Sequence, residues 1–274
     1  YKHKENIILL FFFFFFFFAA GTGVYDKKDR LMVRKILEES KIPLYHQIKE
    51  DLRARIEEGE WLPGKLIPPE KELCAEYKVS KITVLEAMKG LVREGLLKRK
   101  QGKGTFVAEP KLEQSLNRFY SFTESIRQKG LKLEQRILKV EIIEADKHVA
   151  KHLGIKKGEK ITEIERLRLV NGEPLYLETI MIPIKLCPNL HLKDISSKSL
   201  NDILRNEYKI SLIKAKECFE PIIIDDYEAQ ILGVKNGVPA LLLEHTTYTT
   251  KNRVVLFSKG IVRGDRCRYY TELE

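Results

Sequence analysis

Residues 80–107 read SKITVLEAMKGLVREGLLKRKQGKGTFV, and the two ends of this stretch follow different periodicities. In the first half Val84, Ala87, Met88 and Leu91 recur at three- and four-residue spacing, one stripe of an amphipathic helix. Ser80 stands where an N-cap belongs and Gly95 where such a helix closes. Beyond it, LLKRK and GTFVAE flank a Gly-Lys-Gly turn, the pattern of two short strands. Segment 98–103 carries Lys98, Arg99, Lys100 and Lys103 and no acid. The helix face opposite the apolar stripe holds Lys81, Ile82, Leu85, Glu86 and Lys89. A basic tip directly after such a helix suits a polyanion, because each phosphate it neutralises releases counterions.

Moving toward the N-terminus, Leu44, Ile48, Leu52 and Ile56 recur every four residues, and Gly59 ends that helix. The loop EWLPGKLIPP follows, with Pro68 and Pro69 suited to the first turn of a second helix, PEKELCAEY. Residues 43–108 therefore read helix, helix, helix, hairpin, which is a winged helix-turn-helix with the third helix as reader. A small helical domain with a solvated basic hairpin has the same elements. The ordered set of cap, basic turn and GKGTF tip favours DNA binding.

The whole chain has 274 residues, 43% hydrophobic and 32% charged, with a net charge of +10. That length suits one large or two ordinary domains, and the basic balance points to nucleic acid or an anionic membrane without choosing between them. Cys74, Cys187, Cys218 and Cys267 are far apart with no C-x-x-C pair, so they read as reduced cytosolic thiols rather than a zinc or redox motif. The apolar run Ile7–Ala20, with Phe11 to Phe18 inside it, is 14 residues long, whereas a spanning helix needs about 20. Its length and the preceding Lys2 and Lys4 resemble a signal h-region. Because residue 1 is Tyr and a Phe homopolymer needs a T-rich tract, we read residues 1–40 as a non-domain extension, translated upstream sequence with the true start near Met32. A chain begun at Met32 is then expected to keep full operator binding.

Residues 109–121 are polar and mixed, a linker by composition. Past them the chain repeats itself at an offset of 79 (225 minus 146): Asp146 matches Asp225, Ala150 matches Ala229, Leu153-Gly154 matches Leu232-Gly233, and Gly158 matches Gly237. Each copy reads as a short helix, a Gly turn and a β-hairpin, and two copies make two half-sheets of one α/β domain rather than a solenoid.

Residues 43–107 resemble the GntR-type winged-helix DNA-binding domain along their whole length. SFTESIRQKG, IERLRLVNGEPLYLETIMIP, KSLNDILRNEYKI and VRGDRCRYY resemble the UTRA effector-binding domain of the HutC subfamily. The resemblance covers about residues 42–274. It implies an α+β protein, with a winged helix-turn-helix (41–108), a linker (109–121) and a chorismate-lyase-like α/β UTRA domain (122–274). It also implies a cytoplasmic homodimeric transcription regulator, usually a repressor, which a small metabolite releases from a palindromic double-stranded DNA operator. No cofactor or membrane is expected.

Carried over by position, the resemblance implies DNA contacts at Lys71, Ser80, Lys81, Thr83, Leu85, Gln101, Gly102, Lys103 and Gly104. The chain departs from the family at three places: Pro69 stands for Ser, and Lys81 and Leu85 each stand for Arg. Lys81 keeps charge but loses the bidentate fork that reads guanine, and Leu85 cannot donate. An operator less dependent on guanine is expected.

The resemblance places effector contacts at Phe122, Thr123, Arg166, Arg168, Glu178, Ser199 and Asn201. Arg166 and Arg168 alternate along a strand and share a face, so they repel unless an anion or an acid lies between them. Glu163, Glu165 and Glu178 are the local acids that would satisfy them without a ligand. Ser199 begins a predicted helix, a place for an anion. Asn201, Leu256, Val262 and Cys267 replace the Tyr, Glu, Tyr and Tyr of sugar-phosphate sensors. Losing an acid and hydroxyls removes partners for sugar hydroxyls, which favours a smaller or less polar anion over an amino-sugar phosphate. The expected effector is an anionic metabolite, a phosphorylated sugar or a carboxylate.

His148 and His152 have a metal-compatible i, i+4 spacing, but nothing nearby completes a site and the second copy has Tyr227 and Ile231 there. They read as structural or surface residues. Asp225 reads as a helix cap rather than half of a metal pair with Asp226, and Gly264-Asp265-Arg266 as a turn held by ion pairing. There is no catalytic triad spacing, P-loop or dinucleotide fingerprint. Two rival readings are a chorismate-lyase-like enzyme with Glu178 as its catalytic carboxylate, and a DNA-binding sensor tethered by Ile7–Ala20.

Overall fold

The computed structural model describes residues 40–116 and 122–273. Three helices, α1 (Leu44–Glu57), α2 (Glu70–Tyr77) and α3 (Lys81–Arg93), precede the hairpin β1 (Leu97–Lys100) and β2 (Gly104–Val107). The Ser80 side chain accepts from the Thr83 amide at 3.3 Å, capping α3 as its sequence predicts. The α3 stripe Val84, Ala87, Met88 and Leu91 is buried in one core with Ile48 and Leu52 of α1, and Leu73, Leu97 and Val107 complete that core. The tandem prolines fall slightly differently from expectation. Pro69 is the extended N-cap of α2, at φ −65° and ψ 155°, and the helix starts at Glu70.

The remaining elements are β3 (Leu112–Ser115), α4 (Phe122–Gln128), β4 (Leu133–Glu144), α5 (Lys147–Leu153), β5 (Lys160–Val170) and β6 (Glu173–Pro183). They continue with α6 (Leu200–Asn206), β7 (Leu212–Ile223), α7 (Asp226–Leu232), β8 (Pro239–Thr249), β9 (Val254–Arg263) and β10 (Cys267–Tyr270). Six strands form one antiparallel sheet in the order β4-β5-β6-β9-β8-β7. This order is the 79-residue repeat made visible. Each copy contributes strand, short helix and hairpin, and the copies meet where β6 pairs with β9.

The helix boundaries repeat as well. The Asp146 side chain accepts from the Val149 amide at 2.7 Å, and Asp225 accepts from Glu228 in a full capping box. Gly154 and Gly233 close α5 and α7 in the left-handed region, at φ +66° and +64°, where a side chain would be strained.

The segment read as a linker contains β3, which pairs in parallel with β10 at the C-terminal end of the described chain. The Leu112 amide donates to the Arg266 carbonyl at 2.8 Å and the Leu116 amide to that of Tyr270 at 2.9 Å. Four residues of mixed polarity carry no usable period, so the strand is not legible locally. A partner some 150 residues away supplies its hydrogen bonds, as the Leu112–Cys267 register shows.

The winged helix meets the C-terminal α/β domain at the turn between β9 and β10. A Cβ on Gly95 would lie 2.1 Å from the Asp265 carbonyl oxygen, so α3 ends flush against that turn only because residue 95 is glycine. Lys98 of the wing pairs with Glu173, which also holds Arg266 at 3.1 Å, and Lys111 donates to the Gly264 carbonyl at 2.8 Å. Within the turn Arg263 pairs with Asp265 at 2.6 Å, the local ion pairing expected from the sequence.

Among the described residues no helix is long and apolar enough to cross a membrane. The Phe11–Phe18 run and the Met32 start lie outside the described residues.

A second glycine fixes the sheet interior. At Gly260 of β9 a Cβ would lie 2.0 Å from Tyr176 Cε2, so the Tyr176 ring occupies the space a side chain would fill. Gly260→Ala is expected to lower stability by about 1–3 kcal/mol through overpacking, read as a lower denaturation midpoint of the full chain.

Candidate functional site

Two regions collect the expected site residues. On the head, Lys71, Ser80 and Lys81 are exposed, and so are Gln101, Gly102, Lys103 and Gly104 at the wing tip. Gly102 and Gly104 take φ +69° and +107°, the backbone freedom that lets this tip turn tightly. The Ser80 and Thr83 hydroxyls lie 2.9 Å apart at the start of α3. Glu70 orders the cations around them: its carboxylate accepts from Arg99 at 3.1 Å and lies 3.8 Å from Lys81 Nζ. Leu85 is half-buried, whereas its neighbour Ile82 is 74% exposed, an apolar side chain presented from the first turn of the reading helix.

In the sensor domain, the β5–β6 register places Arg166 opposite Glu178 and Arg168 opposite Tyr176. All four are buried. Glu178 lies between the two guanidiniums. Its Oε2 accepts from Arg166 Nε at 2.9 Å and pairs with Arg166 Nη2 at 2.8 Å and Arg168 Nη2 at 3.2 Å, while Oε1 accepts from Ser258 at 3.2 Å. Of the three local acids, Glu178 is thus the one that separates the arginines. Glu163 lies near Lys139 instead, and Glu165 accepts from Tyr227. Arg166 also donates to Gln135 at 3.4 Å and Arg168 to Thr123 at 3.2 Å, and the Arg168 guanidinium lies 5.0 Å from the Phe122 ring centroid.

Electrostatics follow from this packing. Burial alone would raise the Glu178 pKa, but Arg166 and Arg168 outweigh it and hold the carboxyl at about 2. Burial and the like charge of Arg166 pull Arg168 down to about 10, against the opposing pull of Glu178. Two cations share one anion here, and Arg168 Nε is buried with no partner. Such a cluster has an excess positive charge and an unused donor, the two properties an anion satisfies.

A cavity of about 120 Å³ opens beside this cluster. Phe122, Arg166, Arg168, Glu178 and Asn201 line it, as does Leu256. Thr123 and Ser199 instead line a neighbouring hollow with Gln135. Ser199 caps α6 without a side-chain hydrogen bond. The structure therefore splits the expected effector set: five residues share the cavity, and Thr123 touches it only through Arg168.

Several lining residues were not foreseen. Gln114, Tyr176 and Tyr269 are among them, together with a polar chain in which His245 Nδ1 lies 3.0 Å from Glu217 and Nε2 lies 2.8 Å from Thr247. The period-2 pattern of β8 places His245 and Thr247 on one face, but nothing local says which face meets the cavity.

Among the described residues no cluster of His, Cys, Asp and Glu could hold a metal. His152 stacks on Phe257 with ring centroids 4.2 Å apart, and the Asp225 side chain caps α7.

Comparison with known proteins agrees with this two-part layout. The UTRA domain model matches residues 128–268, and the model of bacterial regulatory proteins of the gntR family matches residues 44–107. The HTH-type transcriptional repressor NagR of Bacillus subtilis (strain 168) is 36% identical over 231 residues, covering 84% of this chain and 95% of that protein. The mannosyl-D-glycerate transport/metabolism system repressor MngR of Escherichia coli (strain K12) is 26% identical over 83% of this chain and 94% of its own length. The crystal structure of PhnF from Mycobacterium smegmatis superposes with a TM-score of 0.59 at 26% identity, over 83% of this chain and 99% of that one. NagR and MngR are transcriptional repressors, and neither supports the enzyme reading.

Glu178 gives a test of the cluster. Its folded pKa lies below its ordinary value of 4.5, so its contribution to stability is complete above that value and is lost as the pH falls toward about 2. At pH 7, Glu178→Gln is expected to cost about 3 kcal/mol or more, because two buried guanidiniums lose their counter-charge. The gap to wild type should narrow steadily below pH 4.5, measured by urea denaturation at stepped pH.

Proposed function

The chain belongs to the gntR family of bacterial regulatory proteins and carries a UTRA domain; on that premise we propose that it is a cytoplasmic, homodimeric repressor of a metabolic operon, released from a palindromic operator by a small anion. The observation that carries the effector half of this reading is the buried Arg166–Glu178–Arg168 cluster beside a cavity, with two cations for one anion and an unpartnered Arg168 Nε. A bound phosphate or carboxylate would neutralise the excess charge of the arginine cluster and accept from that nitrogen, while the other carboxylate of the cavity wall, Glu217, is held by His245. The cavity of about 120 Å³ suits a group of that size. The hydrocarbon of Leu256 at its edge supports a ligand with fewer hydroxyls than a sugar phosphate.

On the DNA side, α3 enters the major groove of one half-site and the wing grips the backbone next to it. Ser80, Thr83 and Lys81 at the helix start, with Lys71 beside them, bind phosphate. Gln101, Gly102, Lys103 and Gly104 approach the backbone at the tip. Ile82 and Leu85 meet thymine methyl groups, the apolar contact available to side chains that cannot donate to guanine. The effector acts because it binds one placement of the two heads better than another. A ligand with equal affinity for both placements would switch nothing.

Two measurements test this. In binding titrations on duplex DNA at stepped salt, Lys100→Ala combined with Lys103→Ala should weaken binding and reduce the slope of log K against log salt by about 0.9 for each phosphate that is no longer neutralised. An unchanged slope would remove the wing from the interface. In a melting screen with sugar phosphates, carboxylates and amino acids, an anion should raise the wild-type midpoint by mass action and leave Arg168→Ala unmoved. If only neutral compounds stabilise the wild type, the anion reading fails.

A further inference from the structure

Gln114 sits on β3, in the segment that joins the DNA-binding head to the sensor domain. It is 7% exposed, and it lines the same cavity as Arg168. Its Oε1 accepts from Ser125 Oγ at 2.7 Å, while its Nε2 is sealed from solvent without a hydrogen-bond partner. Turning the amide over does not remove the defect. Ser125 would then accept from the nitrogen, and Oε1 would be left alone instead. Either way one polar atom is buried unpaired, which native structures avoid unless something else satisfies it.

Only a few buried side-chain atoms among the described residues lack a partner, and two of them, Gln114 Nε2 and Arg168 Nε, belong to residues lining this one cavity. Both are donors, on different elements, and both lack the same thing, an acceptor. The register adds a third feature. Gln114 pairs with Tyr269 of β10 across the two-stranded parallel sheet, and Tyr269 lines the cavity too. The inner face of the β3·β10 clip is therefore part of the cavity wall. Residues 108–111 alone separate β3 from the wing strand β2.

We propose that Gln114 is an effector contact: its side-chain amide donates to the anion held by Arg168, so that occupancy of the cavity fixes β3 on β10 and with it the root of the DNA-binding head. This rests on the anion-binding reading above and adds the residue through which the bound anion touches the connecting segment. An acceptor reaching Gln114 strengthens the clip with one ligand hydrogen bond. An empty cavity leaves the clip with a buried, unpaired amide that weakens it. The ligand thus has the unequal affinity for two placements of β3 that a switch requires.

The test uses the full chain and inorganic phosphate, with citrate and a hexose 6-phosphate as larger anions. Gln114→Leu keeps the volume and removes both amide atoms, so ligand-free stability should be unchanged or raised. A merely structural hydrogen bond would give the opposite sign. The affinity for whichever of these anions stabilises the wild type should fall about tenfold, the scale of one hydrogen bond to a charged group. If that anion binds Gln114→Leu as tightly as wild type, the contact is wrong while the anion site stands. If none of the three stabilises the wild type, the anion site falls, and this contact with it. Should the variant fail to fold, amide exchange of Glu113–Leu116 in the wild type decides. Slower exchange with the bound anion supports the clip, and unchanged exchange overturns it.

Discussion

Glu178 between Arg166 and Arg168 is the interaction around which the sensor domain is arranged. A carboxylate buried this deeply is tolerated only because two guanidiniums outweigh the loss of water, and two guanidiniums this close are tolerated only because a carboxylate separates them. The arrangement requires β5 and β6 to pair in a register that sets Arg166 against Glu178. It also requires β9 to bring Ser258 to the second carboxylate oxygen and Gly260 to the Tyr176 ring. A slip of one residue would point these side chains to the other face of the sheet. The cluster thus specifies the register as much as the register makes the cluster.

The same strand carries this constraint to the head. β9 lines the cavity with Leu256, sets Ser258 on Glu178 and Gly260 against Tyr176, and ends in the Arg263–Asp265 turn, against which Gly95 closes α3. Glu173, at the start of β6, holds Lys98 of the wing and Arg266 at once. A second route is β3, whose Gln114 lines the cavity and whose backbone is bonded to β10. Both routes are short, and both pass through packed or hydrogen-bonded groups, so a change of occupancy at the cavity has physical means of reaching the DNA-binding surface. Lys98 lies on the first of these routes, where it neutralises Glu173.

The two halves of the molecule differ in how they use charge. On the head, Lys81 and Arg99 are exposed and share one acid, Glu70, which restrains them without burying them. Exposed pairs of this kind add little to stability, and they leave the cations able to exchange partners for phosphate. In the sensor the cations are sealed and their partners are fixed. The first arrangement suits a diffuse polyanion, and the second suits the small anion proposed above.

Much of this was legible in the chain itself. The α3 stripe, the Ser80 cap, the basic wing and the 79-residue repeat are local signals, because helix period, cap chemistry and turn glycines act over a few neighbouring residues. The alternation of Arg166 and Arg168 was equally local, and it required an acid or an anion between them. Which acid, it could not say. Glu163, Glu165 and Glu178 were equivalent along the chain, and only the pairing of β5 with β6 selected Glu178. Thr123 and Ser199, grouped with the arginines by resemblance, fall in a separate hollow, a division that only the folded arrangement of α4, β4 and α6 sets. The strand β3 left no mark, since its hydrogen bonds belong to β10 at the far end of the chain, and with it Gln114 stayed hidden in what reads as a polar linker. The order of residues sets the elements and the chemistry available, because those depend on neighbours in the chain. Folding selects which charges meet and which polar atoms go unpaired, because those depend on strand register and on contacts between residues far apart in the chain.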